Sequence, residues 1–120
     1  MRRVGEALEA LEGVVAARKA DPSTRSYTSR LLAGGAAAIG AKVSEEAAEL
    51  VAAAASETDE RVVAEAADLL YHTLVLLALR GVPLSRVEDE LASRFGVSGL
   101  DEKASRGTPR ADAEPKRTAP

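Results

Sequence analysis

A chain of 120 residues, 46% of them apolar, can bury one small core, but aromatics make up only 2%, so Leu, Val and Ala must build it. The absence of cysteine excludes a disulfide framework and a thiolate metal site, and a reducing cytoplasm is the expected setting. A net charge of −3 without a basic, aromatic-interleaved stripe argues against nucleic-acid binding, and the longest apolar run, Leu74 to Leu79, is far shorter than the ~20 residues that span a bilayer, so no membrane partner is expected.

In chain order, residues 3–18 read as an amphipathic helix, with Val4, Leu8, Leu11 and Val15 repeating at helical spacing. Pro22 in KADPST breaks it. The polar, basic segment RSYTSRLLAGG reads as a loop with at most one helical turn, and Gly34–Gly35 permits a sharp change of direction. A second helix is expected from about Ala36 to Ala55, with Ile39, Val43, Ala47, Leu50 and Ala54 on one apolar face. At ~100° per residue, Glu46 and Glu49 flank that face, with Lys42 between them in projection and Glu45 turned further outward. SETDE connects to a third helix, about Glu60 to Arg80, which Thr58 or Asp59 could cap.

The third helix is apolar in almost every direction, which predicts burial on several sides and hence a partner subunit. Its polar exceptions, Glu65, Asp68 and His72, fall on one line along the helix. Gly81 and Pro83 end it, and a fourth helix runs from about Ser85 to Phe95, with Ser85 to Glu88 in capping-box form and Gly96 as terminator. Residues 1–106 are read as one domain, and the Pro-rich residues 107–120 as a disordered tail. The fold class is therefore all-α, a bundle of four to five helices completed by homodimerisation.

The acids carry the chemistry. An ionised carboxylate in an apolar helix is costly unless a cation or hydrogen bonds compensate it. Acids at i, i+3 on two facing helices converge on one point, and hard cations such as Mg²⁺ or Mn²⁺ prefer such oxygen donors while sharing their remaining positions with phosphates. A solvated acidic face, paired with Lys42 or Arg61, is the plainer reading for Glu45, Glu46 and Glu49 taken alone. It fits Glu65 and Asp68 poorly. A helical di-iron site needs Glu-x-x-His, and Leu69 stands three residues before the only histidine, so iron is not expected. His72 alone reads more simply as a hydrogen-bonded core or interface residue, and Tyr71 as packing. No phosphate loop and no Gly-x-Ser-x-Gly elbow is present.

The pattern Glu45-Glu46-x-x-Glu49 with Glu65-x-x-Asp68 resembles the metal-binding signature of the all-α, MazG-like nucleoside triphosphate pyrophosphohydrolases. Together with RSYTSRLL, IGAKVSEEAAEL, EAADLLYHTLVLLALRGV and GVSGLDEKASR, it resembles the phosphoribosyl-ATP pyrophosphatase family of histidine biosynthesis over about Val4 to Arg106. The resemblance implies Mg²⁺-dependent hydrolysis of 1-(5-phosphoribosyl)-ATP to 1-(5-phosphoribosyl)-AMP and diphosphate by a homodimer with sites near the subunit interface. On that basis Glu46, Glu49, Glu65 and Asp68 are the expected metal ligands. Glu45 is the expected catalytic residue, completing the metal shell or accepting a proton from water, and Lys42, Arg30, Lys103 and Arg106 are expected to bind substrate. Arg94 is a weaker candidate of the same kind. Two alternatives stay open at this stage: a housecleaning pyrophosphatase of the same superfamily acting on free or damaged nucleotides, and a non-enzymatic helical dimerisation module.

Overall fold

The computed structural model describes residues 2–96, which form four α-helices and, among the described residues, no strand: α1 (Glu6–Ala20), α2 (Tyr27–Ser56), α3 (Asp59–Leu79) and α4 (Leu84–Phe95). The all-α expectation holds. The chain divides into two compact units, residues 1–82 and the segment beginning at Pro83. The tail expected at 107–120 lies outside the described residues.

In the first unit α2 and α3 form the principal packed pair, and α1 lies against both. Val15 of α1, Leu31 and Ile39 of α2, and Val75 of α3 are the buried centre of the core. Lys19 donates to the Ala78 carbonyl at 2.6 Å and so ties the end of α1 to the last turn of α3, where a cation also complements the helix dipole. Val4, expected on the core face of the first helix, is 98% exposed. The helix starts only after Gly5, whose φ of 91° turns the preceding chain away.

The loop expected at residues 25–35 is instead the first part of α2. Ser26 accepts from the Ser29 amide at 3.1 Å and caps the helix, while Tyr27 and Thr28 are fastened to α3 by side-chain hydrogen bonds. A polar stretch is thus helical because tertiary contacts hold it there. The change of direction expected at Gly34–Gly35 is present as a break inside α2: Gly35 has φ 75° and ψ −168°, a conformation open essentially to glycine alone. Farther along, Ala53 is fully buried and Ala54 is exposed, so the apolar face ends one residue earlier than expected.

Of the two expected caps, Thr58 is the one that caps α3, accepting from the Arg61 amide at 3.2 Å, while Asp59 is the first residue of the helix. The helix closes with a Schellman arrangement in which the Val82 amide bonds the Leu77 carbonyl, the Gly81 amide bonds the Ala78 carbonyl, and Gly81 sits at φ 70°. Burial along α3 follows hydropathy at Leu74 and Val75 but departs from it elsewhere. Glu65 and His72 are buried, whereas Val63 is 67% and Leu70 48% exposed. By length and composition α3 would also suffice to cross a membrane, contrary to what its longest apolar run alone suggested, but core helices share that property.

In the second unit, α4 begins at Leu84 with Pro83 as its N-cap and no side-chain cap bond, so Ser85 lies inside the helix and not at its cap. The extended ψ of 150° at Pro83 starts the helix one residue before the serine. Gly96 ends it at φ 73°, its amide on the Ala92 carbonyl at 3.0 Å.

Candidate metal centre

The packing of α2 along α3 brings Glu46, Glu49 and Glu65 together, with one carboxylate oxygen from each lying within 4.8 Å of the others. Glu46 and Glu49 are one turn apart on α2 and share a face; Glu65 projects from α3 toward them. Glu46 is only 7% exposed and Glu65 only 3%, while Glu49 is open to solvent and provides the accessible side of the group. Asp68 stands outside the 4.8 Å group and is exposed, but its charge acts on Glu46.

The two buried carboxylates share one pattern of contacts. Each has one oxygen facing a cation on the rim. Glu46 Oε2 lies 4.0 Å from Lys42 Nζ, and Glu65 Oε2 is paired with the Arg61 guanidinium. Each cation is tethered in turn by a second, exposed acid: Lys42 by Glu45 at 3.2 Å and Arg61 by Glu57 at 3.2 Å. The remaining oxygens, Glu46 Oε1 and Glu65 Oε1, are fully buried and no hydrogen-bond partner reaches them. A buried acceptor without a donor is expensive, and such atoms call for an ion, a water or a proton.

The electrostatics follow from this crowding. Loss of water pushes the Glu46 carboxyl up to about 7, with further contributions from the proton it can share with Glu65 and from the charges of Asp68, Glu49 and Glu65. Sharing with Glu65 also raises Glu49, with burial adding to it. Glu65 moves the other way. The hydrogen bonds that protonated Glu46 and Glu49 can give it, together with Arg61, outweigh its burial and hold it below its ordinary value. A proton entering the cluster therefore settles on Glu46 before Glu65. The Glu45 carboxylate, which hydrogen-bonds and attracts Lys42, keeps that ammonium above its ordinary value.

Three oxygen donors, two of them buried and unsatisfied, fit a hard divalent cation, and the donor set lacks the sulfur or imidazole that softer metals favour. Lys42 pairs with Glu45 and Glu46 at the rim. Arg30 is exposed, donates to the Thr24 carbonyl at 3.1 Å, and lines an open cavity of about 180 Å³ with Pro22, Ser23, Thr24, Ser29 and Ala33. Arg94 pairs with Glu90 at 2.8 Å within α4. Lys103 and Arg106 lie outside the described residues.

The structure adds an aromatic and hydroxyl clasp beside the acids. The Asp68 carbonyl can only accept, so His72 Nδ1 carries the proton that binds it at 2.8 Å. In that tautomer Nε2 accepts from the Tyr27 hydroxyl at 2.9 Å. The adjacent residue on each helix repeats the link: the Thr28 and Tyr71 hydroxyls bond one another, and the Tyr27 and Tyr71 rings stack at 6.2 Å. His72 is thus the hydrogen-bonded core histidine of the plainer reading, and Tyr71 packs while also bonding. The sequence signal for the clasp was the pair of adjacent hydroxyl residues, Tyr27-Thr28, hidden in a segment read as a loop.

Comparison with known proteins identifies the family. The family model described as Phosphoribosyl-ATP pyrophosphohydrolase matches residues 8–95. Among curated relatives, the phosphoribosyl-ATP pyrophosphatase of Pelobacter propionicus is 50% identical over 101 residues, covering 84% of this chain and 94% of its own. The protein of the same name from Erythrobacter litoralis is 54% identical over 101 residues, 83% of this chain and 96% of its own. That from Rhodospirillum rubrum is 53% identical over 102 residues, 84% and 86% respectively. With the acidic centre falling inside the matched span, the chain belongs to the phosphoribosyl-ATP pyrophosphohydrolase family.

Proposed function

We propose that this chain hydrolyses 1-(5-phosphoribosyl)-ATP to 1-(5-phosphoribosyl)-AMP and diphosphate, a step of histidine biosynthesis, in a Mg²⁺-dependent reaction. The observation that carries the reading is the group formed by Glu46, Glu49 and Glu65, with two buried oxygens lacking a partner, in a chain of this family. Glu46, Glu49 and Glu65 would hold the cation, and Asp68, exposed and outside the 4.8 Å group, is the proposed fourth ligand. A bound Mg²⁺ supplies charge neutralisation at the triphosphate and lowers the cost of the diphosphate leaving group.

The side chains do the rest. Lys42, its ammonium held at the rim by Glu45, is the proposed partner of a phosphate oxygen. Glu45 is exposed and adjacent in sequence to Glu46, and its carboxylate is the proposed acceptor for the proton of the attacking water. The water oxygen bonds to phosphorus as the α–β anhydride bond breaks, and the electron pair leaves on diphosphate. Arg30, Lys103 and Arg106 are the proposed partners of the remaining phosphates.

A homodimer completes the site in this reading. Val63 and Leu70 leave apolar surface on α3, and Val51 does so on α2. The cavity beside Arg30 is smaller than the ~300–1,000 Å³ usual for a small-molecule site, and none of the clustered carboxylates lines it. A second copy would supply the missing wall. The test is diphosphate release from phosphoribosyl-ATP against a panel of dCTP, dUTP, ATP and oxidised nucleotides with Mg²⁺ saturating. Preference for phosphoribosyl-ATP is expected. Faster turnover of a free nucleotide would move the chain to nucleotide housecleaning, and no turnover of any triphosphate would favour a dimerisation module.

A further inference from the structure

Glu57, Arg61 and Glu65 form a ladder at i, i+4 spacing that runs from the α2–α3 connection into the carboxylate centre. Its middle rung is the cation paired with the most deeply buried acid of the group: the side chain of Glu65 is 4% exposed, while that of Arg61 is half in solvent. The buried Glu65 Oε1 has no partner, so Arg61 on Oε2 supplies the counter-charge of this carboxylate. Lys42 plays a looser version of the part at Glu46, at 4.0 Å and mostly engaged by Glu45. The pairing of Arg61 leaves the inward oxygen of Glu65 open, so a cation entering the centre would share this carboxylate with the guanidinium.

We propose that Arg61 is the built-in counter-ion of the carboxylate centre, neutralising Glu65 when no cation is bound and opposing a divalent cation when one enters. The proposal rests on the cation reading given above and goes beyond it by assigning a positioning residue that is not a ligand. Its basis is like-charge repulsion. A guanidinium and a divalent ion sharing one carboxylate repel each other, and even with solvent screening that repulsion is worth about three- to tenfold in affinity. The same charge keeps the cation-free fold from holding an uncompensated ionised carboxylate in its interior. Arg61 thus trades affinity for the stability of the empty protein, leaving the centre weak enough to exchange its cation.

The experiment uses the full chain stripped of metal by chelation, as wild type and as Arg61→Ala, Arg61→Gln and Arg61→Lys. Mn²⁺ binding is measured by calorimetry, and melting temperature in chelator and in saturating Mn²⁺. Arg61→Ala and Arg61→Gln are expected to melt below wild type in chelator, to close most of that gap in Mn²⁺, and to bind Mn²⁺ about three- to tenfold more tightly. Arg61→Lys is expected to behave as wild type. If Arg61→Ala does not fold without metal, the Gln variant, which keeps the aliphatic stem and a donor without the charge, carries the comparison. Equal or weaker Mn²⁺ binding by the uncharged variants, or a melting deficit of the same size with and without Mn²⁺, overturns the proposal while leaving the cation reading intact. Absence of Mn²⁺ binding by the wild type overturns both.

Discussion

The elevated Glu46 carboxyl makes a quantitative statement about pH. With its value pushed up to about 7, about ten in eleven molecules hold the proton at pH 6 and about one in eleven at pH 8. A cation can use that carboxylate only after the proton leaves, so the apparent affinity for Mg²⁺ or Mn²⁺ should rise about tenfold from pH 6 to pH 8 and level off above. Binding at pH 6 should release close to one proton. Glu49 is raised in the same direction, and Glu65, held low, does not titrate in this window. Calorimetry in buffers of different ionisation enthalpy reads both affinity and proton count. Glu46→Gln should flatten the profile and weaken binding at every pH. Wild-type affinity that is level between pH 6 and 8, with no proton released, would refute the picture of a crowded, desolvated centre. The same raised carboxyl bears on stability without cation. Its favourable contribution is complete below the ordinary carboxylate value and is lost as pH climbs through about 7, so this group makes the cation-free protein less stable at pH 8 than at pH 5. Glu65 acts oppositely and only at acid pH: its contribution fades as pH falls from the ordinary range through its lowered value.

Further outcomes follow from single side chains. Glu49→Ala and Asp68→Ala should each abolish diphosphate release while leaving the helical circular dichroism unchanged, because both side chains are exposed. Tyr27→Phe removes the hydroxyl bonded to the buried His72 ring and should cost about 1–3 kcal/mol in urea denaturation. Gly35→Ala forces a Cβ into a backbone conformation reserved for glycine and should cost about 1–3 kcal/mol by the same measurement. Val63→Glu with Leu70→Glu should convert a dimer to a monomer in light scattering, both positions being exposed apolar surface on α3.

Much of the candidate centre is legible in the residue order, and the reason is physical. An acid in a helix as apolar as α3 has few uses, so Glu65 stands out before any coordinate is known, and the projection of α2 separates Glu46 and Glu49 from the outward Glu45. The cap at Thr58, the break at Gly35 and the stop at Gly96 are equally local and equally readable. What is not local is hidden. The first turns of α2 read as a loop because Ser, Thr and Arg dominate them, and their helicity depends on Tyr71 and His72, more than forty residues away. Periodicity places Glu65 and Asp68 on one line but cannot say that only Glu65 joins the 4.8 Å group, because that depends on packing between helices. Nor does hydropathy foretell that α3 buries its acid and histidine while exposing Val63 and Leu70, since a sequence does not distinguish surface covered by its own chain from surface awaiting a partner.

The most direct test of the central claim is the fate of phosphoribosyl-ATP itself, followed by phosphorus NMR with the purified chain in Mg²⁺ and again in excess chelator. Equal amounts of phosphoribosyl-AMP and diphosphate are expected with Mg²⁺, and no conversion in chelator. Release of orthophosphate, turnover undiminished by chelator, or an untouched substrate would contradict it.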